Sequence, residues 1–452
     1  MDDPDRPTPR VALAARGAYL AVLLLATLTN LRLELDPGRM AERAAGMLSP
    51  SLSARDAVDG LRNVTLFAGW GLVWVATAPV VRGMGAIRNA VLTGAGISLL
   101  VELVQLASTT RTPSLLDVGT NTGGALLGAL TLLGAVMGMR RLRSARSFVG
   151  LPASAFALSY GSAVAAEALV PLFRQATPPN TWGGPMRRMG LVLASFEWRS
   201  LLELPLADLL LFAPAGVFAV AALAEAGHPF RRSATWVAAA GLLASVLAEV
   251  GHGFLGLHIQ LGAAAVHGIG IAAGGVLAAH GLPWFTRTLR GRQRPRALAL
   301  AYGILLLVWA LRPWVPVESA AAIADQLATR WWMPLGAHRL RMDVFSVVDV
   351  VTGFMIYLPA GALLAVWPVR WRGPLSAFLP AIYVAALGEA GQLFVDARTV
   401  DVTDVLVDAA AAATGWLIAR RAGLRPFGAL LPRDAGAAVS PGGSHPRRRA
   451  GP

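Results

Sequence analysis

The chain has 452 residues, 55% of them hydrophobic, with a mean hydropathy of +0.56 and a formal net charge of +14. Only 15% of the residues are charged, against about 25% in a typical soluble domain, which excludes a soluble globular protein. The basic excess does not point to nucleic acid: every basic residue is Arg, and they lie between apolar runs, as topology signals and contacts to anionic headgroups do. Cysteine is absent, so disulfides, thiolate nucleophiles and thiolate metal sites are excluded as well.

Runs of about twenty apolar residues, the length that crosses a bilayer core, recur along the chain. Twelve spans are predicted, near 11–31, 63–81, 89–108, 119–139, 148–172, 206–226, 234–256, 260–282, 297–315, 345–368, 375–395 and 402–420. The first resembles a signal peptide, with Arg10 and Arg16 ahead of Tyr19–Thr29. No small-x-small cleavage site follows, and equivalent spans open later groups at 148 and 297, so it is read as a span.

The twelve spans fall into three groups of four. Each group has one span, a polar segment (32–62, 173–205 or 316–344), then three closely spaced spans. The second span of each group carries a related stretch: Phe67-Ala-Gly-Trp-Gly71, Phe212-Ala-Pro-Ala-Gly216 and Tyr357-Leu-Pro-Ala-Gly361. The repeat period of about 140–147 residues is too long for a solenoid unit. The expected fold is therefore all-α and polytopic, with three pseudo-repeats of four spans at 1–147, 148–296 and 297–425. The tail 426–452, which contains Arg447-Arg448-Arg449, is expected to be a disordered cytoplasmic extension.

Topology follows from the short connections 82–88, 140–147, 227–233, 287–296 and 369–373. They hold Arg82, Arg88, Arg140, Arg141, Arg143, Arg146, Arg231, Arg232, Arg287, Arg290, Arg292, Arg294, Arg296, Arg370 and Arg372, and no acid. The positive-inside rule places them, and both termini, in the cytoplasm. The opposite connections are then extracytoplasmic.

Those opposite connections carry a duplicated polar pattern. Glu102, Gln105, Arg111, Asp117, Asn121 and Gly128 recur as Glu389, Gln392, Arg398, Asp404, Asp408 and Gly415, each shifted by 287 positions. A worn copy lies between them at Glu249, His252, His258, Ala264, Gly268 and Gly275. Ionisable groups near a bilayer core cost roughly 2.5–3.5 kcal/mol each, so a duplicated set points to selection for structure or chemistry. Glu102 and Gln105 share one helix face, Asp117 and Asn121 share another, and a hairpin opposes the two faces with the Arg on the connection. Ser114-Leu-Leu-Asp117 has capping-box spacing and Asp401-Val-Thr-Asp404 is similar. Glycines 119, 123, 124 and 128 are expected to let the following helix pack closely.

These residues resemble the VanZ-like family. The pattern is E-x2-Q-x5-R-x5-D-x3-N, preceded by a stretch such as Asn63-Val-Thr-Leu-Phe67 to Gly71. The family comprises small polytopic bacterial membrane proteins whose founding member is associated with glycopeptide (teicoplanin) resistance. Its biochemical activity is not established, so the resemblance implies an envelope role and no reaction. It covers about 60–140 and 345–420 well, and 205–280 by position only. Asp408 departs from the amide of Asn121 by adding a carboxylate. The middle copy has lost its Arg, Asp and Asn, and is read as scaffold.

Three readings of the motif stay open at this level. In a polar clamp, Arg111 pairs with Glu102 or Asp117 so that the connection dips toward the membrane with its polar groups satisfied. In a binding or catalytic site, Arg forks onto a phosphate or headgroup while Glu does acid–base work. The third is an ion or proton pathway. The leading function is an extracytoplasmic site for an amphiphile, lipid headgroup or cell-wall intermediate. Its partners would be membrane lipids, a lipid-linked cell-wall precursor or a glycopeptide, and no nucleic acid or cofactor. A membrane enzyme acting on a lipid-linked phosphate and a transporter or flippase are the alternatives; the apolar midplane portions of the spans weigh against transport. His252, His258 and His267 do not have metal-site spacing, and no metal is assigned; they are read as replacements at an exposed outer face. Glu167 and Glu225 are read as interfacial or inter-helix contacts, and Trp331-Trp332 as an interfacial anchor.

Overall fold

The computed structural model describes residues 9–28, 31–47, 54–78, 84–141, 147–175, 184–254, 256–291, 293–328, 344–367, 375–396, 398 and 400–424. Trp331-Trp332, Arg82, Arg143, Arg146, Arg292, Arg370, Arg372 and the tail 426–452 lie outside the described residues. Among the described residues there are fifteen α-helices. The first group holds α1 (Pro9–Leu28), α2 (Pro37–Met47), α3 (Ala54–Ala76), α4 (Met84–Gln105) and α5 (Leu115–Arg141). The second holds α6 (Ala153–Gln175), α7 (Pro185–Ala194), a 3-10 turn at Trp198–Leu201, α8 (Leu206–Glu225), α9 (Phe230–Phe254) and α10 (Leu261–Thr288). The third holds α11 (Gln293–Ala310), α12 (Ala320–Ala328), α13 (Val344–Val366), α14 (Leu375–Gln392) and α15 (Val402–Arg421).

Each of the twelve predicted spans corresponds to one long helix, and α2, α7 and α12 are short helices inside the polar segments. Among the described residues, eight helices are long and apolar enough to cross a membrane: α1, α4, α5, α8, α9, α10, α13 and α15. The protein is thus a polytopic all-α membrane protein. Of the others, α3 opens with Arg55, Asp56, Asp59 and Arg62, which lowers its apolar content.

The recurring glycines explain how each group is built. Its second and fourth long helices cross with their backbones in contact, α3 on α5, α8 on α10 and α13 on α15. A β-carbon on Gly71 would lie 2.0 Å from the Ala125 carbonyl oxygen, and one on Gly128 1.9 Å from that of Ala68. The same reciprocal pair recurs as Gly216 on Ile271 (2.0 Å) with Gly274 on Ala213 (1.8 Å), and as Gly361 on Ala412 (1.7 Å) with Gly415 on Leu358 (1.8 Å). No side chain fits at these six positions, and small residues are what lipid-embedded helices use to approach so closely. On α5 only Gly124 and Gly128 serve this purpose. Gly119 and Gly123, expected to help, face open space.

A tyrosine from the first helix of each group reinforces the crossing. The hydroxyls of Tyr19, Tyr160 and Tyr302 donate to the carbonyls of Leu66, Leu211 and Ile356 at 2.7, 2.8 and 2.7 Å. Each acceptor lies five residues before the crossing glycine of its group. Burying a hydroxyl in this way is tolerated because its hydrogen bond is made.

The third group sits between the other two. Its α13 packs on α3 and on α6, and α15 packs on α5. Ser159 donates to the Met355 carbonyl across the α6–α13 contact. Phe156, Tyr160, Phe218, Tyr302 and Trp309 form an aromatic cluster between the second and third groups. At the opposite end of the bundle from the motifs, Arg140 donates to the Arg421 carbonyl, and Arg421 reaches the carbonyls of Ala76 and Ala78. All three motif connections pair with the polar segment of their own group, through Leu33–Ser108, Phe196–Ile259 and Pro316–Val395.

Candidate functional site

The third copy of the motif lines a cavity of about 120 Å³. A single water needs only about 10–15 Å³ by a comparable measure. Helix α14 contributes Glu389 and Gln392, the connection contributes Arg398, and α15 contributes Asp404 and Asp408. All five positions singled out in the third copy therefore meet at one place. The far wall comes from Asp349, Thr352, Gly353 and Tyr357 on α13, from Arg312 beyond α11, and from Glu167 on α6.

The local chemistry explains how these groups are held. Glu389 is 8% exposed, and its Oε2 accepts the Asp401 backbone N–H at 3.0 Å while its Oε1 accepts from Gln392 Nε2 at 3.0 Å. Asp401 caps α15, accepting from Thr403 N at 2.7 Å and Thr403 Oγ1 at 2.6 Å. Asp404 in the first turn of α15 suits the positive end of the helix dipole. Arg398 donates from Nε to the Arg312 carbonyl at 2.6 Å. Burial, reinforced by neighbouring Arg312, holds its guanidinium below the usual arginine pKa, against the opposing pull of Glu167, Asp349 and Glu389. Arg312 stacks over Trp309 with 4.0 Å to the ring centroid and pairs with Glu167 at 2.9 Å.

The first copy repeats the frame with different filling. Glu102, 2% exposed, accepts the Ser114 backbone N–H at 2.8 Å, twelve residues on, as Glu389 does with Asp401. Ser114 Oγ accepts from Leu116 N at 3.1 Å, which caps α5, but the reciprocal half of the expected box is not made because the Ser114 N–H goes to Glu102. Gln105 reaches the Thr27 carbonyl at the end of α1, at 3.4 Å. Asn121 donates to Ser98 Oγ at 2.8 Å, and Asn63 on α3 donates to Asp117 Oδ1 at 2.9 Å. Arg111 makes no ion pair with Glu102 or Asp117. The clamp expected of the arginine is made by a backbone N–H instead, because the turn after α4 points Ser114 N directly at the carboxylate.

The middle copy needs a change of register. Glu249 Oε2 accepts the Gln260 N–H at 2.9 Å, eleven residues on, so this connection is one residue shorter. The positions equivalent to Asp117, Asn121 and Gly128 are then Ala263, His267 and Gly274, not Ala264, Gly268 and Gly275; the crossing glycine Gly274 confirms the shift. His267 stacks on Phe212, centroids 3.9 Å apart, and pairs with Asp208 Oδ2 at 3.1 Å. His258 is exposed, as expected. Glu249 and His252 are not: both are buried, and His252 lies 3.1 Å from Glu249 Oε2 and from the Ala168 carbonyl.

The VanZ/LLP1 family model matches residues 18–137 and 297–424, the first and third groups with both intact motifs, and covers more than half of the chain. The chain belongs to the VanZ/LLP1 family. No curated protein and no solved structure matches it. The two VanZ/LLP1 copies differ in filling: Asp408 replaces Asn121, and Ala385 stands where Ser98 bonds that amide.

Four cavity residues were not legible as site residues. Glu167 makes the expected inter-helix contact, and its partner Arg312 carries it to the cavity edge. Glu225 is also a contact, accepting from Phe148 N and Ala153 N at the start of α6. Asp349, Thr352 and Arg312 lie outside the duplicated spacing, and only the folding of α13 and α11 over α14 brings them in.

Proposed function

We propose that this VanZ/LLP1 protein resides in the bacterial cytoplasmic membrane and holds the polar headgroup of an amphiphile in the third-group cavity. The ligand is a membrane lipid or a lipid-linked cell-wall intermediate, and sequestering one would be its link to glycopeptide resistance. One observation carries this reading: Glu389, Gln392, Arg398, Asp404 and Asp408, drawn from two helices and a connection, line one cavity. A purely structural clamp gives no reason to leave polar groups around open space.

The chain would comprise three four-helix units, with limits near residues 147, 296 and 425, and the middle one serving as scaffold. The arginine asymmetry supports cytoplasmic termini and extracytoplasmic motif connections. The test is to extract the protein with its native lipids and weigh the intact complex. Wild-type protein should retain a stoichiometric amphiphile, and Gly353→Asn, which fills the cavity, should release it. Equal retention by both would refute the assignment.

A further inference from the structure

The polar segment of the second group carries an exposed apolar surface. On α7, Met186, Met189 and Leu193 recur at helical spacing along one face, and all three are exposed, Met186 to 88%. Trp198 is exposed on the 3-10 turn that follows, and Leu202, 85% exposed, and Leu204 come after it. Phe196 stacks on Trp198 with ring centroids 6.0 Å apart. The corresponding helix of the first group, α2, carries Arg39, Glu42 and Arg43 instead. A run of exposed large apolar side chains marks a protein or membrane contact.

What meets this surface follows from its height in the bundle. The segment is tied to the connection between α9 and α10: the Ile259 N–H donates to the Ser195 carbonyl at 2.7 Å, and the Leu261 N–H to Ser200 Oγ at 3.1 Å. Leu261 is the first residue of α10, and α9 ends at Phe254. The segment therefore lies level with the ends of two helices apolar enough to cross a membrane. Val192 seats α7 there: it is buried, and a β-carbon on Gly253 of α9 would lie 3.3 Å from its Cα. The chain then enters α8, a third such helix, whose Leu206 and Leu210 are exposed. In a spanning helix those side chains meet acyl chains, so the apolar surface of 186–204 runs on into a surface that already faces lipid. Tryptophan is enriched at this boundary between headgroups and acyl chains. Arg187, Arg188 and Arg199 are offset in part by Glu197 and Glu203. Burial of apolar side chains, more than net charge, holds the segment down.

We infer that α7 and the turn after it lie in the plane of the bilayer, with Met186, Met189, Leu193, Trp198 and Leu202 inserted into the leaflet at the motif end of the bundle. Amphipathic helices insert in this way to about 5–10 Å, as far as the headgroup–acyl boundary. The insertion does not depend on a ligand in the third-group cavity. It gives the middle group, whose motif has lost its arginine, a task of its own: it fixes the depth of the bundle at that edge.

The absence of cysteine allows a direct test. Met186→Cys and Leu202→Cys, made singly in the full-length protein, are spin-labelled and reconstituted into vesicles of phosphatidylethanolamine and phosphatidylglycerol. Both side chains are exposed, so neither substitution disturbs the core. Power saturation compares collisions with oxygen, which concentrates among acyl chains, and with a water-soluble nickel chelate. The reference is a label at Thr109→Cys, an exposed position on the first motif connection. Relative to it, both labels should shift the collision ratio toward oxygen by about fivefold or more, as a site below the phosphates requires. Either label favouring the nickel chelate would overturn the insertion. Shielding of either label from both reagents would overturn it as well, and dipolar broadening between copies would then assign the surface to a second copy of this chain.

Discussion

A β-carbon at Gly353 would lie 2.8 Å from Oδ1 of Asp408, so this carboxylate approaches the backbone of α13 only because residue 353 is glycine. The equivalent position in the first group, eight residues before the crossing glycine, is Asn63, whose side chain reaches across to Asp117. One group closes its helix pair with an asparagine bridge, and the other leaves room beside a carboxylate. The two motifs share residue types and backbone frame but not the space between them.

The buried glutamates should govern stability and the loop arginine should not. Glu102→Leu or Glu389→Leu leaves a backbone N–H unpaired, which should cost about 1–3 kcal/mol. The Gln variants should lose less, since an amide oxygen still accepts that N–H. Arg111→Met should stay within about 0.5 kcal/mol of wild type, because among the described residues its guanidinium makes no ion pair. Thermal unfolding in detergent checks this, and an Arg111→Met loss equal to that of Glu102→Leu would restore the arginine clamp.

The crossing glycines should be intolerant of a single methyl group. Gly361→Ala and Gly415→Ala force two backbones apart and should cost about 1–3 kcal/mol or more. Gly119→Ala and Gly123→Ala, which face open space, should be neutral or stabilising by up to about 1 kcal/mol through helix propensity. Denaturant titration of the four variants separates the two classes.

Removing the recurrent tyrosine hydroxyl should cost about 1 kcal/mol per site, since the carbonyl it caps is buried. Tyr160→Phe and Tyr302→Phe should each lower the unfolding midpoint by a similar amount. No change in either would mean that the hydroxyl is incidental to the crossing.

Sidedness has its own check in a chain without cysteine. Thr109→Cys lies at an exposed residue of the first motif connection, and Thr399→Cys lies in the third. Both should react from outside with an impermeant thiol reagent. Reaction only after permeabilisation would invert the orientation.

Much of this was legible in the sequence, for physical reasons. Hydropathy located all twelve long helices, of which eight are long and apolar enough to meet the minimum length a bilayer imposes. The 287-residue spacing located the third-copy cavity lining, because two faces joined by a fixed connection must oppose each other. Spacing alone misplaced the middle copy, since a one-residue deletion between Glu249 and Gln260 shifts everything after it, and His267 takes the place of Asn121. It also missed Thr352, Asp349 and Arg312, which reach the cavity through helix packing across longer separations. The tyrosines escaped notice because their distances to the crossing glycines differ between groups.

The most direct measurement is an experimental density map of the protein in discs of its native lipid. Density should fill the space between Arg398 and Asp408 and continue outward into an acyl chain, with the first-group motif closed by Asn63 and Asp117. A third-group cavity holding only water, or collapsed so that Thr352 bonds a protein group, would contradict the assignment of a headgroup site.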